Sequence, residues 1–99
     1  MAANKVRADY DELAEIAGSF DCNAGNIHRI LHQLHKDLDL LLDGDWVGRG
    51  SAEFYREMIS DVLPSVKRLG DALERAASTT RQMSRIMKQA EEDSDHRWP

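Results

Sequence analysis

The chain has 99 residues, of which 41% are hydrophobic and 6% aromatic, so it can form one domain with long aliphatic contacts rather than a thick globular core. Its 13 basic and 18 acidic residues give a net charge of -5, which disfavours nucleic acid as a partner, and its single cysteine excludes an intrachain disulfide. Because no long apolar run is present, we expect neither a cleavable signal peptide of the ordinary kind nor an integral membrane segment.

A first helix is predicted over residues 9–42 by apolar or small residues that recur from Leu13 onward in alternating steps of four and three. This heptad pattern is typical of a helix that packs lengthwise on another helix, as in a coiled coil. Asp9 and Glu12 have the spacing of a capping box, and Asp43-Gly44 is a stop signal. The large residues expected along this first seam are Phe20, Ile27, Leu31, Leu34 and Leu38.

A second helix is predicted over residues 51–92, where the same alternation returns after a bend at residues 43–50. Ser51 is the expected N-cap. Pro64 lacks an N–H group, so we expect it to kink this helix without breaking it. Residues 93–99 are expected to form a flexible acidic tail. The second seam is predicted to contain Tyr55, Ile59, Val62, Val66, Leu69 and Leu73.

Folding the two seams together predicts an all-α fold, an antiparallel helix-turn-helix hairpin that forms a single domain over residues 1–99. Residue i should then lie near residue 93 minus i, which places Leu34 near Ile59 and buries Leu31 and Val62 close to the bend. Apolar residues beside the seams remain uncovered, which favours dimerisation into an elongated four-helix bundle. A hairpin that docks on a larger, unrelated protein is the alternative. The uncovered residues are Ile16, Ile30, Met58, Leu63, Ala77 and Ile86.

The histidines of the first helix have a spacing that could bind zinc, because His28, His32, His35 and Asp39 follow one face of a helix. That face is expected to point outward, where a solvated polar surface needs no metal, and a pH-sensitive surface patch is the functional alternative. No pattern of a nucleophile with its base, or of a phosphate-binding loop, accompanies them. We therefore expect no enzymatic activity, no cofactor and no metal ion.

Trp46-Val47-Gly48 stands at the centre of the chain between the two heptad helices, and small residues followed by Phe54 open the second helix. In these features the whole chain resembles the WXG family of small type VII (ESX-type) secretion substrates, the proteins similar to the early secreted antigenic target. The small residues that carry this part of the resemblance are Gly50, Ser51 and Ala52.

The resemblance implies a non-enzymatic hairpin that pairs with itself or with a paralogous protein of the same type. It also implies folding in the cytoplasm, export by an ATPase-driven machine, and a role as secreted factor or effector chaperone. The family's export signal, Tyr-x-x-x-Asp or Glu after the second helix, has no matching tyrosine here, and Met87 with Glu91 is the nearest frame. Gly48, Trp46 and Trp98 complete the residues expected to be recognised for secretion. A cytosolic coiled-coil adaptor is the competing function.

Overall fold

The computed structural model describes residues 2–44 and 48–97, and describes side-chain surroundings for residues 7–44, 48 and 50–94. Within these residues every regular element is a helix, which confirms the predicted all-α hairpin of two long helices joined by a turn. The first helix is α1 (Ala2–Asp43). The second consists of α2 (Arg49–Glu57), a π-helical segment (Met58–Val62) and α3 (Leu63–Arg97), which follow one another without interruption.

Both long helices extend beyond the limits expected from the sequence. The helix α1 begins at Ala2 rather than near Asp9, and residues 2–8 contain no glycine or proline to prevent this. Asp9 therefore lies inside the helix instead of capping it. At the other end, α3 continues to Arg97, so most of the tail expected to be flexible is helical. Trp98 and Pro99 lie outside the described residues.

The start of α2 differs from the predicted one because Gly48, not Ser51, is the N-cap residue. Gly48 has a φ of 128°, a backbone conformation that side chains with a Cβ rarely adopt. Its carbonyl oxygen accepts the Ala52 N–H at 3.2 Å and the Ser51 hydroxyl at 2.8 Å. Ser51 thus lies in the first turn of the helix, where its side chain bonds back to the cap residue.

The contacts of the chain divide it into two compact units. The terminal unit comprises Met1–Cys22 and Leu73–Pro99, and in it the two helical segments run antiparallel. The Ser84 hydroxyl donates to the Tyr10 carbonyl at 2.7 Å, while Arg81 pairs with Asp21 further along. The buried residues of this unit are Tyr10, Ala17 and Ala77.

The bend unit, Asn23–Ala72, contains the end of α1, all of α2 and the π-helical segment, and the start of α3. Its two helices approach closely at Gly70, where a Cβ atom would lie 3.2 Å from Cγ2 of Ile27 and 2.9 Å from Cε1 of His28. Ile27 was expected opposite Val66, so the observed neighbour lies four residues further along. The buried apolar residues of this unit are Ala24, Leu38 and Leu63.

The π-helical segment changes which residues of the second helix face α1. The Leu63 N–H donates to the Met58 carbonyl, five residues back, so this turn holds one residue more than an α-helical turn. The wider turn precedes Pro64, whose ring would crowd the carbonyl of an ordinary turn. The second helix therefore passes through Pro64 without a break, as expected, but with a shifted phase.

Three residues of the expected second seam, within or after the π-helical segment, are exposed in this chain. Ile59 and Val62 are each 37% exposed and Leu69 is 50% exposed, although we expected all three to face α1. The buried row instead contains Leu63, Gly70 and Ala77, spaced seven residues apart. Leu63 and Ala77 were predicted to lie beside the seam, and Gly70 was not predicted to face it at all.

Candidate protein-interaction surface

The residues predicted to line the first seam face the second helix to different extents. Leu38 is buried, while Phe20, Ile27, Leu31 and Leu34 are half-buried. On the second helix Tyr55, Val66 and Leu73 are half-buried. Small residues are the most completely buried ones, since Ala17 and Ala77 have no exposed surface. Two helices alone therefore cover the large aliphatic side chains incompletely.

In the terminal unit the ion pair identifies two different sides of the helix pair. Asp21 and Arg81 lie together on one side. Asp21 follows the buried Ala17 by four residues, and Arg81 follows the buried Ala77 by four residues. Ile16 comes one position before Ala17, and Met83 one position before Ser84, which lies seven residues after Ala77. Both are therefore on the opposite side of their helices. They are 41% and 51% exposed, and Ile86 beside them is also exposed. This unit thus has a charged side and an apolar side.

The bend unit, taken by itself, also has a charged side and an apolar side. His28 Nε2 lies 3.9 Å from Oδ1 of Asp71, and Lys67 Nζ lies 3.0 Å from Oδ2 of the same carboxylate. Ile30 and Leu69 occupy the opposite side, by the same heptad reasoning, and both are about half exposed. His28 was expected on an outer face, but its ring instead lies against Gly70 between the helices. His32 and His35 are exposed.

A shallow open groove of about 220 Å³ lies on the charged side of the bend unit. The groove lies beside the π-helical segment and Pro64, where the widened turn and the missing N–H interrupt regular packing. The groove is mainly apolar, with one imidazole and one ammonium group at its edge. Its lining residues are Leu31, His35, Ile59, Leu63, Pro64 and Lys67.

The predicted secretion residues lie in three places. Met87 and Glu91 are half-buried and one helical turn apart on α3. The pKa of Arg7 is raised above its usual value, chiefly by a side-chain hydrogen bond with Tyr10 and to a smaller extent by the nearby Glu91 carboxylate. Tyr10 was not among the residues singled out from the sequence, because the first helix was expected to begin at Asp9. Gly48 is exposed at the start of α2, whereas Trp46 and Trp98 lie outside the described residues.

Among the described residues, no helix has both the length and the apolarity that crossing a membrane requires.

Comparison with known proteins supplies one match. The model of the WXG100 family, described as "Proteins of 100 residues with WXG", matches residues 5–92. No curated protein and no solved structure matches the chain. The matched segment includes Trp46-Val47-Gly48 and most of both long helices. The family consists of small, non-enzymatic proteins secreted by type VII systems. Because the match extends over most of its length, the chain belongs to the WXG100 family.

Proposed function

We propose that this protein is exported by a bacterial type VII secretion system as a folded helical pair. It acts outside the cell as a secreted factor, or serves as the export partner and chaperone of another substrate. The observation that carries this proposal is the family match, which covers both long helices and the Trp-x-Gly sequence between them. The localisation that this proposal gives the protein is therefore extracellular.

Pairing with a second hairpin is supported by the apolar sides of the two units. Ile16 and Met83 in the terminal unit, and Ile30 and Leu69 in the bend unit, expose aliphatic surface that two helices cannot cover. A second helical hairpin, either another copy or a paralogous chain, supplies the missing layer of a four-helix bundle. Burial of such surface contributes about 25 cal/mol per Å², which makes it the main source of affinity.

We assign recognition by the secretion ATPase to the connection between α1 and α2 and to the end of α3. Trp46 is a large aromatic residue in the short sequence between the two helices, and we expect it to contribute less to helix packing than the seam residues do. In an antiparallel bundle each connection lies beside the ends of the partner chain. Met87, Glu91 and Trp98 then complete a composite site with Trp46 and Gly48, or the partner brings the full tyrosine-containing signal.

Trp46→Ala tests this assignment when export and folding are measured on the same variant. We expect the secreted fraction to fall to the background of a cytosolic marker, while helicity by circular dichroism remains unchanged. Leu38→Ala is the control for loss of folding, because Leu38 is buried in the seam. A Trp46→Ala protein as unfolded as Leu38→Ala would identify the tryptophan as a structural brace and remove the support for recognition.

The contribution of this chain's own tail is tested by a pair of neighbouring substitutions. Glu91 is half-buried and attracts Arg7, whereas Glu92 is exposed. If this chain carries the signal, Glu91→Gln lowers export and Glu92→Gln does not. Equal export of both variants would assign the carboxylate of the signal to the partner.

A further inference from the structure

Another shallow open cavity, of about 240 Å³, lies on the charged side of the terminal unit. It is lined by Ala14 of α1 and by Arg81, Ser84 and Arg85 of α3. The Ser84 hydroxyl donates to the Tyr10 carbonyl at 2.7 Å, so this wall of the cavity is fixed to both helices and its hydroxyl proton is already used. The donors that remain for a ligand are those of the two guanidinium groups.

The two arginines of the cavity lie one helical turn apart and differ in their partners. Arg81 forms an ion pair with Asp21 of α1. Arg85 is exposed, and no described carboxylate forms an ion pair with it. Lys88, one turn further along the same side of α3, adds a third positive charge. The guanidinium of Arg85 is therefore available to an anion that enters the cavity.

The facing residues of α1 explain why Arg85 has no acidic partner. On the charged side, α1 presents the carboxylates of Asp11 and Asp21, one turn before and two turns after Ala14. Ala14 has only a methyl group, and it is the residue of α1 that lines the cavity together with Arg85. The cavity thus occupies the space that an acidic side chain at this position of α1 would fill.

We propose that this cavity binds the phosphate group of a phosphate monoester, held by Arg81 and Arg85. Guanidinium groups bind phosphate oxygens in a bidentate manner, and a tetrahedral dianion offers enough oxygens for two of them, whereas the two oxygens of a carboxylate are occupied by one. The pair with Asp21 uses only part of the donors of Arg81. The net charge of -5 opposes binding at long range, so the complex is weak and depends strongly on salt.

This binding site goes beyond the proposed secretion role and does not depend on it. The cavity lies opposite the apolar side that contains Ile16 and Met83, so a second hairpin on the apolar side leaves the cavity open. A phosphate monoester has two sources, a small soluble molecule or the head group of phosphatidic acid on a membrane surface. Both present the same dianion to the two arginines.

Four single variants of the full chain test the proposal. Ala14→Asp supplies the missing carboxylate from within the chain, and Ala14→Asn is its neutral control of the same size. Arg85→Gln removes the available guanidinium. Arg75→Gln is its control, because Arg75 is exposed in the same unit on the side of α3 that faces away from α1, and its loss changes the net charge equally.

The first measurement is an NMR titration of the isotope-labelled protein with glycerol 3-phosphate at a constant ionic strength of about 50 mM, where screening is moderate. We expect saturable shifts of the backbone amides around Arg81 and Arg85 in the wild type, in Ala14→Asn and in Arg75→Gln. The dissociation constant should rise at least fivefold in Arg85→Gln and in Ala14→Asp, because one loses a donor and the other fills the cavity with a competing carboxylate.

A vesicle flotation assay distinguishes the two sources of the phosphate. Wild type that floats with phosphatidylcholine vesicles containing phosphatidic acid, but not with phosphatidylcholine alone or as Arg85→Gln, would assign the site to a lipid head group. Saturable binding of glycerol 3-phosphate without flotation would assign it to a soluble phosphate monoester.

Three results would overturn the inference. Wild type without saturable shifts in the titration and without flotation has no phosphate site. An equal loss of binding in Arg85→Gln and Arg75→Gln would show that net charge alone attracts the anion. Unchanged binding in Ala14→Asp would show that the anion does not occupy the cavity. Circular dichroism checks that each variant folds, and the two arginine variants decide the question if Ala14→Asp does not fold.

Discussion

Gly70 is the position at which the packing of the bend unit can be tested most sharply. It is buried on α3, and its missing side chain allows α1 to approach. In Gly70→Ala the new methyl group would lie 2.9 Å from Cε1 and 3.2 Å from Nε2 of His28, and 3.2 Å from Cγ2 of Ile27. The imidazole can move away, because it is partly exposed, but such a movement would disturb its contact with Asp71. Ile27 has less freedom because it lies in the seam.

The expected magnitude follows from two opposing terms. Replacing glycine by alanine inside a helix stabilises it by about 0.5–1 kcal/mol. Crowding in a packed interface costs about 1–3 kcal/mol, so Gly70→Ala should lower the free energy of unfolding by about 0–2.5 kcal/mol. Gly25 is the matched control in the same unit, because it is helical and exposed, and a Cβ there meets nothing within 4 Å. Gly25→Ala should therefore raise stability by about 0.5–1 kcal/mol.

Urea unfolding followed by circular dichroism measures both variants under the same conditions. A double-mutant cycle with His28→Ala then isolates the crowding, because removing the ring removes two of the three close atoms. We expect a coupling of about 0.5–1.5 kcal/mol in favour of the double variant. The reasoning is refuted if Gly70→Ala stabilises the protein as much as Gly25→Ala does, since the helices would then not approach closely at this position.

Two further predictions concern the second helix. Leu63→Ala should lower the free energy of unfolding by about 2–5 kcal/mol because Leu63 is buried, whereas Val62→Ala should lower it by less than about 1 kcal/mol in the unpaired chain. A larger loss for Val62→Ala than for Leu63→Ala would contradict the phase shift assigned to the π-helical segment. Ser51→Ala should change the free energy of unfolding by less than about 0.5 kcal/mol because Gly48 is the N-cap, and a loss near 1–2 kcal/mol in the same urea titration would show that Ser51 caps the helix.

The sequence predicted the packing of α1 better than that of the second helix, and the cause is local. α1 has no irregular turn, so an unbroken heptad pattern places Ala17, Ala24 and Leu38 correctly on its inner side. In the second helix, Leu69 was predicted to lie in the seam because it is large and apolar, although Gly70 is the residue that faces α1. Hydrophobic periodicity cannot show that a glycine faces a neighbouring helix, since it follows side chains rather than backbone approach.

The π-helical segment was the other feature that the sequence did not reveal. Pro64 indicated an irregularity, but a proline is compatible with a kink, a break or an added residue in the preceding turn. The added residue moved Leu63 inward and left Val62 exposed. The candidate surface could be predicted in kind, as apolar residues beside the seams.

The central claim is tested most directly by the secreted fraction of the untagged wild-type protein in cells with and without an active type VII ATPase. Both strains should contain equal amounts inside the cell before export, and a cytosolic enzyme in the medium reports lysis. The account predicts that the protein accumulates in the medium with the active ATPase and falls to the level of the cytosolic enzyme without it. Equal amounts in the medium of both strains, or retention in the cytosol of cells that export other type VII substrates, would contradict it.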